Sequence, residues 1–174
     1  MQEFRDYIND NTHNNSLGDN ARWLEFCSHM DVIEDCAEAH MCYLSLCAGE
    51  SSIGSIYLYA YGALDCIYIQ QTAVRNIISI ASGQKFDLYE TVHKAKEICD
   101  WRHRIIHAPK SDNKSSFIVR HLSTPYSIMI HTYDKNEDHN PTVTSLNIRD
   151  LIAENNGLII STIQNQVLNS SPQT

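Results

Sequence analysis

Apolar residues recur along the first part of the chain at the alternating three- and four-residue steps of an α-helix. The first such run follows one stripe from Trp23 to Cys47 and faces away from a strongly charged side. Its positions are Trp23, Phe26, Met30, Ile33, Ala37, His40, Leu44 and Cys47. We therefore predict a long amphipathic helix in which His40 is a satisfied core histidine rather than a ligand.

The second run, over residues 53–82, is apolar on nearly every side, which predicts a central helix that several neighbours bury. Ser52 is suited to cap its start, and Gly83 is suited to end it. Small residues within the run would let another backbone approach closely, so the same helix is a candidate contact between two protomers. These residues are Ala60, Gly62 and Ala63.

Three polar residues interrupt this apolar helix: Asp65, Gln70 and Gln71. A buried polar side chain that lacks a hydrogen-bond partner is costly. We therefore expect each of the three to find a partner wherever the fold buries it.

The remaining pattern predicts a third helix over residues 87–108, which Pro109 would end. Residues 116–123 and 125–134 are β-rich and predict a hairpin with a turn at Thr124–Pro125. After a polar loop, residues 146–168 predict the last helix. The fold class is therefore mainly all-α, a four-helix bundle with a small β-hairpin inserted between the third and last helices.

Length and composition fit a single domain over residues 1–174, with a polar segment at 1–18 and a frayed tail at 169–174. The chain carries no long uninterrupted apolar run, and its first residues are acidic and rich in Asn rather than basic and apolar. We therefore expect a cytoplasmic protein that has no membrane contact.

The formal net charge of −8 argues against a broad nucleic-acid-binding surface. Six of the thirteen Lys and Arg residues nevertheless fall between His93 and Lys114. They are Lys94, Lys96, Arg102, Arg104, Lys110 and Lys114. Such a local basic patch on an acidic body favours contact with a few phosphates rather than with a long duplex.

The six cysteines lie mostly within the apolar helical patterns, and without a secretion signal we expect them to be reduced and buried. A zinc site built from Cys36, His40, Cys42 and Cys47 is conceivable, but the spacing matches no closed zinc module. No metal or other cofactor is therefore predicted.

The segment DWRHRIIHAP, residues 100–109, concentrates cationic and proton-exchanging groups in the last turn of the third helix. His103 and His107 are four residues apart and share a helix face, and Arg102 can swing its long side chain towards them. RNA cleavage requires a base for the 2′-hydroxyl, a cation for the charged transition state and an acid for the leaving 5′-oxygen. This set of residues could supply all three.

Arg102-x4-His107, at the end of the third helix of a bundle, resembles the R-x(4–6)-H motif of the HEPN superfamily. The stretch YGALDCIYIQQTAVRN resembles the apolar second helix of bacterial stand-alone members, with its Gln-Gln pair. The resemblance extends over roughly residues 20–168. Many members are metal-independent endoribonucleases in toxin–antitoxin, abortive-infection or CRISPR-linked systems.

The resemblance implies that Arg102 binds the scissile phosphate and that His107 is the general acid or base. His103 stands where many members have Asn and would be a third polar group of the site. Arg104, Lys110 and Lys114 would contact RNA. The family also implies a homodimer with a composite active site and an antitoxin or other defence-system partner. Pro109 replaces the tyrosine that some members use as an adenylylation target, so that form of control is not expected here.

Two alternatives to the ribonuclease interpretation stay open. In the first, the arginines and histidines only compensate the helix dipole and cap carbonyls, and the protein is a non-catalytic HEPN-type partner- or nucleotide-binding scaffold. In the second, Cys99, His103 and His107 form one metal-binding face, although the flanking arginines would repel a dication.

Overall fold

The computed structural model describes residues 5–6, 20–46, 52–106, 114–134 and 141–168. This part of the chain is mainly helical and carries a small antiparallel sheet, so the prediction of a mainly α-helical fold is confirmed. The helices are α1 (Asn20–Leu46), α2 (Ile53–Ser82), α3 (Leu88–Thr91), α4 (His93–Ile106) and α5 (Ile148–Ile163). The strands are β1 (Lys114–Ile118), β2 (Ser127–Asp134) and β3 (Thr142–Asn147).

α2 is the central helix, as its apolar character predicts, and α1, α4 and α5 all pack against it. The ends of α2 also match the prediction. The Ser52 hydroxyl accepts a hydrogen bond from the Ser55 amide, and Gly83 takes a left-handed conformation with φ of 67°. Only glycine adopts that conformation without steric cost, which explains why the helix stops there.

The predicted third helix is not continuous. Asp87 caps it as expected, but the backbone leaves helical geometry at Val92 and divides the segment into α3 and α4. The end predicted at Pro109 lies outside the described residues. The consequence for the site is that α4 begins at His93 and can take its own angle against α2.

The predicted hairpin is incomplete, because β3 adds a third strand in the order β1-β2-β3. Both pairings are antiparallel, with Ile118 opposite Ile130 and Leu146 opposite Ile128. Leu146 is the one buried residue of β3, so the strand lacks the regular alternation by which a sequence predicts a strand. The prediction that the last helix begins at residue 146 is therefore wrong, because residues 146 and 147 end β3. The strand passes directly into α5, whose N-cap is Asn147.

A buried polar network joins the helices at the centre of the molecule. Gln70 donates to the Ile33 carbonyl oxygen at 3.1 Å, and Gln71 donates to the Ala95 carbonyl oxygen at 3.1 Å. Asn155 accepts from Gln71 at 2.9 Å and donates to Gln70 at 3.0 Å. The glutamine pair therefore has the partners that burial requires, and it ties α2 to α1, α4 and α5.

Within the described residues, no helix combines the length and the apolar character needed to cross a membrane.

Candidate functional site

Arg102 lies near the C-terminal end of α4, directly before its last turn, and is held by two residues of α2. Its Nε and Nη2 atoms each lie 2.9 Å from Oδ1 of Asp65. Its guanidinium carbon lies 4.5 Å from the centre of the Tyr68 ring. The Arg102 side chain is 14% exposed and that of Asp65 is 44% exposed, so the ion pair lies at the surface with its cation partly covered.

Helical spacing explains why these residues meet. Asp65 and Tyr68 are three apart on α2 and therefore share one face. Cys99, Arg102 and His103 are three and four apart on α4 and share another. The two faces meet where α4 packs on α2. We call these five residues the Arg102 cluster.

His103 contacts the same Tyr68 ring as Arg102. The imidazole meets the Tyr68 ring edge-on, with 6.0 Å between centroids. Its Nδ1 lies 3.7 Å from the sulfur of Cys99. Burial raises the pKa of the Cys99 thiol, which therefore stays protonated at neutral pH.

The structure brings together two of the predicted site residues, Arg102 and His103. Arg104 is exposed, and its guanidinium carbon lies 5.2 Å from the centre of the Trp101 ring. Lys114 is the first residue of β1. His107 and Lys110 lie outside the described residues, so their predicted roles stay predictions.

Asp65 and Tyr68 were missed as site residues by sequence reasoning. Asp65 was recognised only as a polar interruption that needs a partner, and that partner is Arg102. The signal that could have identified them was available: an acid and an aromatic residue three apart on the central helix offer a cation both a carboxylate and a ring face.

The outer face of the sheet carries a second feature that was missed. Phe117 on β1 lies opposite His131 on β2, with ring centroids 5.6 Å apart, and stacks on Tyr133 with centroids 5.7 Å apart. Phe117 and Tyr133 are exposed, as is Val143 on β3. These four residues form an aromatic face on the sheet, of the kind on which nucleic-acid bases stack.

Within the described ranges, no three His, Cys, Asp or Glu side chains are placed to hold a metal ion. Cys36 is buried and its thiol hydrogen-bonds that of Cys66, a contact that lowers the pKa of Cys66. Cys42 is exposed. Cys47 and His107, which complete the two conceivable metal sets, lie outside the described residues.

No protein-family model matches the chain, and comparison with curated proteins and with solved structures also finds no match.

Proposed function

We infer that the protein is a HEPN-type, metal-independent endoribonuclease that works as a homodimer. The observation that carries this proposal is the Arg102 cluster. It holds the motif arginine, Arg102, beside the imidazole of His103 near the end of α4, one turn before the motif histidine, His107, in the sequence. The motif and the mainly helical fold are the remaining support.

In the proposed reaction a general base removes the proton of an RNA 2′-hydroxyl, and that oxygen attacks the adjacent phosphorus. The P–O5′ bond breaks, and a general acid protonates the leaving oxygen. His107 takes one of the two proton-transfer roles, and His103 is the third polar group. Arg102 stabilises the extra negative charge on the phosphate oxygens in the transition state.

The ion pair with Asp65 prepares Arg102 for this role. Asp65 engages two of the five guanidinium N–H groups, which leaves three outside the ion pair. The Tyr68 ring lies against the flat side of the Arg102 guanidinium. The guanidinium is therefore already ordered, and its remaining N–H groups can bind a phosphate without a further loss of side-chain freedom. The carboxylate also places a negative charge beside the RNA, so we propose that Asp65 orients Arg102 at some cost in RNA affinity.

Single-stranded RNA would extend from this site over basic and aromatic surfaces. Arg104, Lys110 and Lys114 would bind phosphates, and the aromatic face of the sheet would stack bases. Base stacking does not depend on net charge, so it suits a body whose formal charge of −8 opposes RNA. An antitoxin or other defence-system protein is the proposed partner class.

An exposed apolar strip of α2 supports the homodimer. Leu58 is 70% exposed and Ile69 is 44% exposed, and they lie on either side of Gly62, where an added Cβ would meet nothing within 4 Å. Asp65 belongs to the same strip, since these positions are spaced three and four apart. Pairing two such strips would bring both copies of the Arg102 cluster towards one composite site.

The decisive experiment incubates the protein with a mixed RNA in EDTA and compares Arg102→Ala and His107→Ala with a matched Arg75→Ala control. The control removes an exposed arginine of α2. We expect the first two variants to lose at least about a hundredfold in cleavage rate and the control to match wild type. His103→Ala should lose less.

The products provide an independent check on the mechanism. Cleavage by the 2′-hydroxyl leaves a 2′,3′-cyclic phosphate, or its hydrolysed form, and a 5′-hydroxyl end. Mass spectrometry should find these ends, and RNA with a 2′-methoxy group at the cut should be inert. Fragments with 3′-hydroxyl ends, or cleavage by Arg102→Ala at the wild-type rate, would refute the proposal.

A non-catalytic scaffold is the second candidate function, and one observation favours it. Arg102 already has a carboxylate and an aromatic ring as partners, which is also how a purely structural arginine is held. The same experiment separates the two functions. A scaffold would leave RNA intact in EDTA and with added divalent metal, and Arg102→Ala would then affect only stability.

A further inference from the structure

A cavity of about 690 Å³ lies between α1 and α5, and no residue of the Arg102 cluster lines it. It exists because both helices pack on α2 and contact each other much less. Ala37 on α1 and Ala153 on α5 line it, and their short side chains leave the space unfilled. Leu44 and Ile152 add apolar surface. The volume lies in the range of sites that bind small organic molecules.

Three polar atoms distinguish this cavity from a packing defect. In the described part of the chain, the buried side-chain oxygen and nitrogen atoms without a hydrogen-bond partner are Oε1 of Glu34, Nδ1 of His40 and Oδ1 of Asn156. All three residues line the cavity. Folded proteins rarely leave such atoms unpaired, so these three atoms are candidate acceptors for a molecule bound in the cavity.

All three atoms are acceptors. His40 is 1% exposed, and its Nε2 lies 3.1 Å from the Ala63 carbonyl oxygen. A carbonyl oxygen only accepts, so Nε2 carries the hydrogen. Burial lowers the pKa of His40, which keeps the ring neutral and leaves a lone pair on Nδ1. Glu34 uses its other oxygen, Oε2, to accept from Arg5 at 2.6 Å.

The charges around the cavity also select the ligand. Glu34 and Glu38 line it, and among the described lining residues the one cation is Arg149, whose guanidinium carbon lies 4.5 Å from the centre of the Tyr126 ring. An anion would meet two carboxylates and no donor among the three unpaired atoms. A ligand with several N–H groups would satisfy all of them.

We propose that this cavity binds a small organic cation, a protonated primary amine attached to an apolar body. An ammonium group has three N–H donors, which equals the number of unpaired acceptors. The apolar body would lie against Leu44 and Ile152. This site is independent of the proposed RNA chemistry.

The test is a calorimetric and NMR titration with three probes of the same aromatic body: phenethylammonium, phenethyl alcohol and hydrocinnamate. We expect saturable binding of phenethylammonium, with a dissociation constant on the order of 1 mM, and a shift of the His40 ring resonances. The neutral alcohol should bind about tenfold more weakly and the anion not at all. Equal binding of amine and alcohol, or no saturable binding of the amine, would overturn the proposal.

Two variants and a control connect binding to the cavity. Glu34→Gln removes the carboxylate charge in the cavity, and Glu154→Gln makes the same charge change at an exposed position of α5 that pairs with Lys94. The first should weaken phenethylammonium binding about tenfold and the second should leave it unchanged. Ala153→Phe should fill the cavity and abolish binding even if Glu34→Gln perturbs folding. Unchanged binding in Ala153→Phe would place the ligand elsewhere and refute the site.

Discussion

Replacing Asn155 by Ala should destabilise the protein far more than the same change at its neighbour Asn156. Asn155 is fully buried, accepts from Gln71 at 2.9 Å and donates to Gln70 at 3.0 Å. Losing the two hydrogen bonds costs about 1 kcal/mol each, and leaving the buried Gln70 oxygen without this donor adds roughly 1–3 kcal/mol. The better helix propensity of Ala returns about 0.6 kcal/mol. We therefore expect a net loss of about 3 kcal/mol.

Asn156→Ala is the matched control, because it makes the identical change one position along the same helix. The Asn156 side-chain oxygen has no partner to lose, so Ala should leave the free energy of unfolding within about 0.7 kcal/mol of wild type, on the stabilising side. Urea titrations followed by circular dichroism would measure both variants. A difference between them below about 1 kcal/mol would mean that the amide network contributes little, and the assignment of its role would be wrong.

Three further results are expected. Because burial lowers the pKa of His40 in the folded state, only the unfolded state takes up its proton as the pH falls below about 6.5, so stability should decrease there. His40→Gln should reduce that slope by at most about 1.4 kcal/mol per pH unit, and a slope equal to that of wild type in urea titrations at several pH values would contradict this account. Leu58→Glu combined with Ile69→Glu should convert a dimer of about twice 19.8 kDa into a monomer in sedimentation, and an unchanged mass would exclude this strip as the contact. Gly83→Ala should cost roughly 1–2 kcal/mol because of its φ of 67°, and wild-type stability in a urea titration would contradict that account.

The helices were predictable because their signals are local. α1 carries a long heptad-like pattern and α2 a long run that is apolar on nearly every side, and Ser52, Gly83 and Asp87 mark ends that the structure reproduces. The break at Val92 and the strand β3 were missed for the opposite reason. Only Val92 leaves helical geometry, so the break does not interrupt the apolar pattern of the segment. β3 buries only Leu146, so the strand creates no alternating pattern of its own.

The candidate site was predictable only in its motif. Arg102 and His103 could be read from one segment, but their partners come from a helix more than thirty positions earlier in the chain. Which α2 residues face α4 depends on how the two helices cross, and no pattern within either helix determines that. The cavity could not be predicted for the same reason. The sequence pattern indicates only a core histidine at position 40, and the cavity beside it depends on how α5 packs near α1.

The direct passage from β3 into α5 limits how the length of this chain can change. Asn147 is both the last residue of the strand and the N-cap of the helix, so no connecting residue lies between them to absorb an insertion. One residue inserted there would rotate α5 by about 100° and turn Asn155 away from the glutamine pair. Insertions and deletions at this junction should therefore be tolerated as poorly as substitutions in the core, even though Asn147 itself is exposed.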